Sequence, residues 1–380
     1  MHSVRSDGLP PLAIGIMGTR GIPNRYGGFE ECAEQLAARF VQRGHRVAVY
    51  NPSAHEFRGD VWRGVSIIRC WAPERTFGTV SQFVYDLACI NDARRRGFDV
   101  LLQLGYTSSS VWHRRWPQSS RNVINMDGME WTRAKYPPLI RRFLRHAEHL
   151  AAVHADALIA DSPDVQRYLA DTYQRQAHYI PYGADVFVTP DAAVLSRFDL
   201  APSGYNMVMA RMEPENHIDL IIRGCLESGT DRPLVVVGST SSTYGRSLVA
   251  TYREPGIRFL GPIYDRTAVD NLRFYSHLYF HGHSVGGTNP SLLEAMGCRA
   301  LIVAHDNPFN RAVLEGGGFY FHDLEGLVEV ICGATAKAAW ADSIERNVER
   351  IRIEFNWERV VQDYEAVFRH AVPASACSRP

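Results

Sequence analysis

LAIGIMGTRGIPNRYGGFEECAEQLAARFVQRGHRVAVY, residues 12–50, is the stretch from which the fold can be read. Residues 12–17 are a short apolar run broken by glycine, the pattern of a parallel strand buried on both faces. After a long loop, Phe29, Ala33, Leu36, Ala37 and Phe40 recur at helical spacing. Gly44 stops that helix, and residues 46–50 form the next strand. Strand, helix and strand in such a short span make a βαβ unit, whose right-handed crossover sets the two strands parallel.

Outward from this unit, strands are predicted at 66–70, 100–104, 122–125, 157–160 and 178–180, with helical stretches between several of them. The pattern then restarts. Residues 186–203, VFVTPDAAVLSRFDLAPS, have weak periodicity and read as a linker with about one helical turn. Beyond it come strands at 207–210, 234–237, 258–260, 278–281 and 300–304, and helices at 218–227, 290–296 and 357–369. The expected fold is therefore α/β, two doubly wound, Rossmann-like domains. Each such sheet takes ligands at the carboxyl ends of its strands, so two of them facing one another make a cleft. The expected division is a disordered tip at 1–11, domains at 12–185 and 204–355 joined by the linker 186–203, a helix at 356–372 and a tail at 373–380.

Composition narrows the function. The 41 basic and 41 acidic side chains cancel, which speaks against a nucleic-acid binder working through a general positive field. Seven cysteines (32, 70, 89, 225, 298, 332 and 377) are scattered and never spaced CxxC, so free thiols in a reducing compartment are expected. No apolar run reaches the ~18 residues of a membrane span, and the amino-terminal segment lacks a small-residue cleavage site. A cytoplasmic location follows as the expectation. No metal-ligand cluster and no DxD pair are visible, so neither a metal nor a cofactor is called for.

Three loops carry candidate chemistry. In GTRGIPNRYGGFEE, Gly27 and Gly28 stand at a helix start beside Arg20 and Arg25, where backbone amides can meet a phosphate. The glycine spacing and the absence of an acidic residue closing the second strand oppose a dinucleotide-binding turn. In MARMEPENH, Arg211 and Glu215 lie just past a strand; a guanidinium there can neutralise a diphosphate, the alternative being a surface salt bridge. In HGHSVGGTNPSLLEAMGC, a strand runs into Gly286, Gly287 and Thr288. Asn289 is then a helix cap and Pro290 the first helical residue. Free amides of Thr288, Ser291 and Leu292 are expected to point at a phosphate, with Glu294 on the first turn or so reaching a nucleoside sugar. His281 and His283 find no third ligand nearby and read as structural or donor-side polar groups.

GGTNPSLLEAM resembles the carboxyl-terminal signature of glycosyltransferase family 4, a GT-B-fold family. ARMEPEN resembles its donor-phosphate turn, ADALIADSP and YIPYGAD its crossover region, and FNWERVVQDY its final helix, so the likeness covers nearly the whole chain. MGTRGIPNRYGGFEE, NMDGMEWTRAKY and HGHSVGGTNPSLLEAM together resemble the rhamnosyltransferases that build bacterial surface polysaccharides. Two positions depart from the family pattern. Gly286 stands where the family has a glutamate eight residues before Glu294, and Asn216 replaces the lysine that follows the donor-site glutamate. Both departures agree with the rhamnosyl subgroup and imply altered sugar recognition.

The resemblance implies a retaining hexosyl transfer, with an acceptor-side first domain and a nucleotide-sugar-binding second domain. The donor implied is dTDP-L-rhamnose, and the acceptor a glycan or polyisoprenyl-linked molecule. Arg211 and Glu294 then carry the donor chemistry, with Glu215, Asn216, Gly287, Thr288, Asn289, Ser291 and Leu292 around it. Asp127, in NMDGMEW at a strand end, is the candidate for acceptor placement, or else an Asx-turn residue. Tyr264 either stacks on the base or merely packs. The segment YPPLIRRFLRHAEHL is either a solvated arginine face or an amphipathic surface for peripheral contact at the inner face of the plasma membrane. The competing functions are a nucleotide-sugar epimerase on a similar scaffold, a hexosyltransferase using UDP- or GDP-sugar, and a non-catalytic nucleotide-sugar sensor.

Overall fold

The computed structural model describes residues 10–25, 27–73, 80–133, 136–334 and 336–372. The expected disordered tip, apart from residues 10 and 11, and the expected tail at 373–380 lie outside the described residues, as do Tyr26, Ala134, Lys135 and Cys377. The described cysteines 32, 70, 89, 225, 298 and 332 are free thiols. The chain divides into two compact units, Met1–Tyr182 with Trp357–Pro380, and Gly183–Asn356.

The first unit is built on β1 (Ala13–Met17), β2 (Arg46–Pro52), β3 (Val61–Trp62), β4 (Val65–Cys70), β5 (Val100–Leu104), β6 (Arg121–Asn125), β7 (Ala157–Ala160) and β8 (His178–Tyr179). They form one sheet in the order β3-β4-β2-β1-β5-β6-β7-β8. All pairings are parallel except the β3–β4 hairpin. The helices are α1 (Gly28–Gln42), α2 (Val80–Arg96), α3 (Pro138–His154) and α4 (Pro163–Tyr173). Every residue of β1 and β5 is buried, as central strands with helices on both faces require. Strand β3 has two residues and no alternation to read, so only the structure shows it.

The second unit has β9 (Asn206–Met209), β10 (Leu234–Val237), β11 (Ile257–Gly261), β12 (Tyr279–His281), β13 (Ile302–His305) and β14 (Phe319–Phe321). They form a parallel sheet in the order β11-β10-β9-β12-β13-β14. Its helices are α5 (Ile218–Glu227), α6 (Thr243–Thr251), α7 (Arg266–Tyr275), α8 (Pro290–Gly297), α9 (Pro308–Leu314), α10 (Leu324–Gly333) and α11 (Ala341–Ile353). Val208, Ile221, Ile222, Val236, Phe280, Val303 and Leu327 make the centre of its core.

Two boundaries differ from the sequence reading. The segment 186–203 is no free linker, because it is strapped onto the second unit. The Phe187 amide donates to Gly297 O at 3.0 Å, the Asp191 amide to Asn271 Oδ1 at 2.7 Å, and the Ser203 amide to Tyr275 O at 2.8 Å. The last helix, α12 (Trp357–Ala371), belongs to the first unit. Its Glu365 takes the guanidinium of Arg43 at 2.8 Å, and its Tyr364 hydroxyl accepts from Asn125 Nδ2 at 2.8 Å, at the end of β6. Local periodicity gives a helix there but not its partner.

Tyr364→Phe therefore strands the buried Asn125 amide and is expected to cost about 1–3 kcal/mol, seen as a lower urea midpoint of the first unit's transition.

Candidate functional site

At the carboxyl end of the second sheet, β9 runs out into Ala210 and Arg211. Arg211 is exposed, and its guanidinium has no hydrogen-bond or ion-pair partner among the described residues. The turn that carries it is fixed from below. The Glu213 amide donates to Arg211 O at 2.8 Å, and so does Asn216 Nδ2 at 2.8 Å. Asn216, expected among the donor-binding residues, is buried, with its Nδ2 engaged in this turn. Glu215 O accepts from the amide and hydroxyl of Ser284, tying the β9 exit to the β12 exit. Tyr264 is 56% exposed on the connection from β11 to α7.

The β12 exit leads through Gly286, Gly287 and Thr288 to α8. Asn289 caps it, its Oδ1 accepting from the Ser291 amide at 3.0 Å and from the Ser291 hydroxyl at 2.9 Å. The Leu292 amide donates to Asn289 O at 3.0 Å, and the Leu292 side chain is buried. Two of the three amides expected to meet a phosphate, those of Ser291 and Leu292, are thus already engaged by the cap. Thr288 is buried beside it.

Glu294 sits past the first turn of α8 and faces α7. Its Oε2 accepts from Arg273 Nη2 at 2.5 Å. It lines a cavity of about 180 Å³ together with Asp185, Val186, Arg266, Asp270 and Cys298. Arg273 escaped the sequence reading because its partner lies 21 residues away, on a different helix. A smaller cavity of about 10 Å³ opens among His283, Ser284, Gly286, Gly287 and Asn289.

The histidines form stacked pairs that the sequence did not reveal as a group. His281 stacks on His283 with ring centroids 4.4 Å apart, and His217 on His305 at 4.2 Å. His217 Nδ1 lies 2.8 Å from Gly282 O. Asn307 and Asn310 each donate to His283 O at 3.0 Å, holding the β12 exit from the β13 side. Burial, and then His283, Arg273 and His305, hold the His281 pKa well below its ordinary value. Burial, then His217 and His322, push His305 down to about 4, against a smaller opposing effect of Asp306. Among the described residues no group of three His, Cys, Asp or Glu side chains could hold a metal ion.

On the first unit, the glycine-rich loop is bonded to its own helix. The Arg20 amide donates to Glu30 Oε1 at 2.8 Å and the Asn24 amide to Glu34 Oε2 at 2.6 Å. The Gly21 amide donates to Thr19 Oγ1 and the Ile22 amide to Asn51 Oδ1. Glu30, in the first turn of α1, and Glu34, further along it, thus take the Arg20 and Asn24 amides of this loop. Gly27 is the N-cap of α1 in extended backbone, and Gly28 is the first helical residue. Asp127 follows β6 in the left-handed region (φ 49°). Its amide donates to Asn125 Oδ1 at 2.9 Å, and its Oδ1 accepts from the Tyr182 hydroxyl at 3.4 Å. On α3, Leu139 and Ile140 are exposed beside Arg142 and Arg145, while Leu144, Ala147 and Ala151 are buried. No helix among the described residues is long and apolar enough to cross a membrane.

Residues 27–183 match the family described as the glycosyl transferase 4-like domain. No curated protein matches the chain by sequence. The sucrose-phosphate synthase of Thermosynechococcus elongatus has a similar structure, at 18% identity over 94% of this chain and 98% of that one, with a TM-score of 0.76. Anabaena HepE, solved with UDP and glucose, is 16% identical over 94% of this chain and 99% of its own, with a TM-score of 0.74. WaaG, a glycosyltransferase involved in lipopolysaccharide biosynthesis, is 13% identical over 93% and 99%, with a TM-score of 0.71. The chain has the GT-B fold, and with the matched domain it is a glycosyltransferase.

The neutral histidines set a pH limit. A histidine whose pKa is lower folded than unfolded gives stability that is complete above about 6.5 and is lost as pH falls toward about 4. The thermal midpoint is expected to fall through that window, and His305→Phe to flatten the fall, as scanning calorimetry against pH will read.

Proposed function

We propose that this chain is a retaining hexosyltransferase whose nucleoside-diphosphate sugar donor is held on the second unit. The observation that carries the reading is Arg211, an exposed guanidinium without a partner among the described residues. It stands past β9, which pairs directly with β12, the strand that leads to α8 and Glu294. Negative charge grows on the diphosphate as the glycosidic bond breaks, and a fixed cation beside it stabilises that charge most in the transition state. In a retaining transfer the acceptor hydroxyl attacks on the face the nucleotide leaves, so the departing phosphate can take the acceptor proton. Asp127 is assigned to acceptor placement, Glu294 to the nucleoside sugar, and Gly287, Thr288 and Asn289 to the diphosphate side. Gly27 and Gly28 remain donor-side candidates, and Tyr264, exposed past β11, is assigned to stack on a base.

The donor is assigned as dTDP-L-rhamnose, on the resemblance of MGTRGIPNRYGGFEE and HGHSVGGTNPSLLEAM to surface-polysaccharide rhamnosyltransferases. The acceptor is a glycan or a polyisoprenyl-linked precursor, and the exposed Leu139 and Ile140 beside Arg142 and Arg145 support peripheral contact with an anionic bilayer. HepE, solved with UDP and glucose, supports a nucleoside diphosphate in general and makes a UDP-hexose the alternative to test. Calorimetry is expected to rank dTDP above UDP and GDP; UDP or GDP binding as tightly would overturn the rhamnose assignment. Product analysis with and without acceptor separates transfer from epimerisation.

Arg211→Ala is expected to lower kcat more than donor affinity, and a loss confined to KM would contradict its role. Glu294→Gln removes one charge-assisted hydrogen bond worth about 1.5–3 kcal/mol, so donor affinity should fall roughly 10–150-fold, and the loss of the charge opposite the buried Arg273 should lower the thermal midpoint as well.

A further inference from the structure

Arg273 is the largest of the fully buried side chains, 2% exposed, on a helix whose other buried residues are Ala268, Val269, Asn271 and Leu272. A guanidinium in such a place is costly, and for stability alone an apolar residue of similar volume serves as well or better. Burial opposes its charge, but Glu294, Tyr279, Cys298 and Asp270 outweigh that and keep it protonated. Its donors are distributed unevenly. Nη2 reaches Glu294 Oε2 at 2.5 Å and Met209 Sδ at 3.4 Å, and Nη1 reaches Asp270 Oδ1 at 3.4 Å. Nε is buried with no hydrogen-bond partner among the described residues.

The two members of the pair also differ in where they lie. The cation is enclosed, whereas the Glu294 side chain is 25% exposed and forms part of the wall of the 180 Å³ cavity. A pair that served only to join α7 to α8 would gain nothing from keeping its anion at an open wall. Met209 closes β9, two residues before Arg211, so the same guanidinium touches the strand end that carries the proposed diphosphate cation.

We propose that Arg273 is a positioning residue, which fixes the orientation of the Glu294 carboxylate so that it receives a hydroxyl of the donor's nucleoside sugar; this rests on the donor-site reading above. One arm of the planar guanidinium holds Oε2 while the other reaches Asp270, which fixes the direction of the bond, where an ammonium would hold Oε2 only as a point charge. The side chain itself does not meet the donor.

The test uses the whole chain and compares dTDP with its 3′-deoxy analogue by calorimetry. The unmodified protein is expected to prefer dTDP by about tenfold, the worth of one charge-assisted hydrogen bond. Glu294→Gln should lose that preference. Arg273→Lys keeps the charge but not the fork, and should lose most of the preference while circular dichroism and thermal midpoint stay close to those of the parent. The double variant Arg273→Lys/Glu294→Gln should be no less discriminating than Glu294→Gln alone, because both changes act on one contact. Arg273→Lys discriminating as well as the parent overturns the positioning role and leaves the donor site standing. No preference for dTDP in the unmodified protein overturns the assignment of Glu294 itself, and the positioning role with it. Should Arg273→Lys fold poorly, Asp270→Asn, which removes the guanidinium's second carboxylate, replaces it, with a reduced preference expected and an unchanged one overturning the proposal.

Discussion

Two backbone contacts at the carboxyl edge of the second sheet leave no space for a side chain. A Cβ on Gly282 would lie 2.1 Å from Asn216 O, and one on Gly238, at φ 152°, would lie 2.1 Å from Ala210 O. The exits of β9, β10 and β12 therefore touch through main chain, and hydrogen bonds from Ser284 to Glu215 O reinforce the same joint. His217, itself in the left-handed region, brings Nδ1 to Gly282 O. The consequence is that the Arg211 turn and the loop entering α8 are one mechanical piece. A cation proposed to meet a diphosphate gains from such support, since electrostatic stabilisation depends on groups that need not reorganise as charge develops.

That dependence also explains what could be read from the sequence. Alternating strands and helices follow from local periodicity, and β5 and β10 lie where their apolar runs put them. The Asn289 cap and Pro290 at the start of α8 were legible for the same reason, since a cap is a property of adjacent residues. The partner of Glu294 was not, because Arg273 lies on another helix and an arginine among apolar neighbours reads as a surface residue. The histidine stacks were hidden likewise, with His217 and His305 brought together only by the sheet. In the glycine-rich loop, the bonds from the Arg20 and Asn24 amides to Glu30 and Glu34, each ten residues further on, were not legible from composition.

The first unit buries a charge by a different route. Glu148 on α3 makes no salt bridge among the described residues; it accepts from the hydroxyls of Tyr168 at 2.6 Å and Tyr173 at 2.7 Å on one oxygen. Its other oxygen accepts from Tyr106 and from Trp131 Nε1, both at 3.2 Å. Four neutral donors thus spread one negative charge over an aromatic cage, and the Tyr106 hydroxyl in turn accepts from the Glu130 amide. The anchored residues, Glu130 and Trp131, belong to the segment that begins with Asp127. Arg145 stacks over the Trp131 ring at 4.1 Å, so the outer face of the same anchor is cationic.

Both units therefore spend a buried charge beside a segment assigned to chemistry, and the physics of each choice differs. A carboxylate held by hydroxyls and an indole can be enclosed without importing a second ion, which suits a loop that must be held still. The Arg273–Glu294 pair instead leaves one member at an open wall, where a ligand hydroxyl can join it. Removing a partner from either arrangement exposes an uncompensated charge, so neither side chain can be lost without consequence. In the first unit that penalty would displace a loop. In the second it would fall on the carboxylate proposed to receive the donor's nucleoside sugar, which is why a conservative Arg273→Lys separates orientation from charge where a truncation would confuse them.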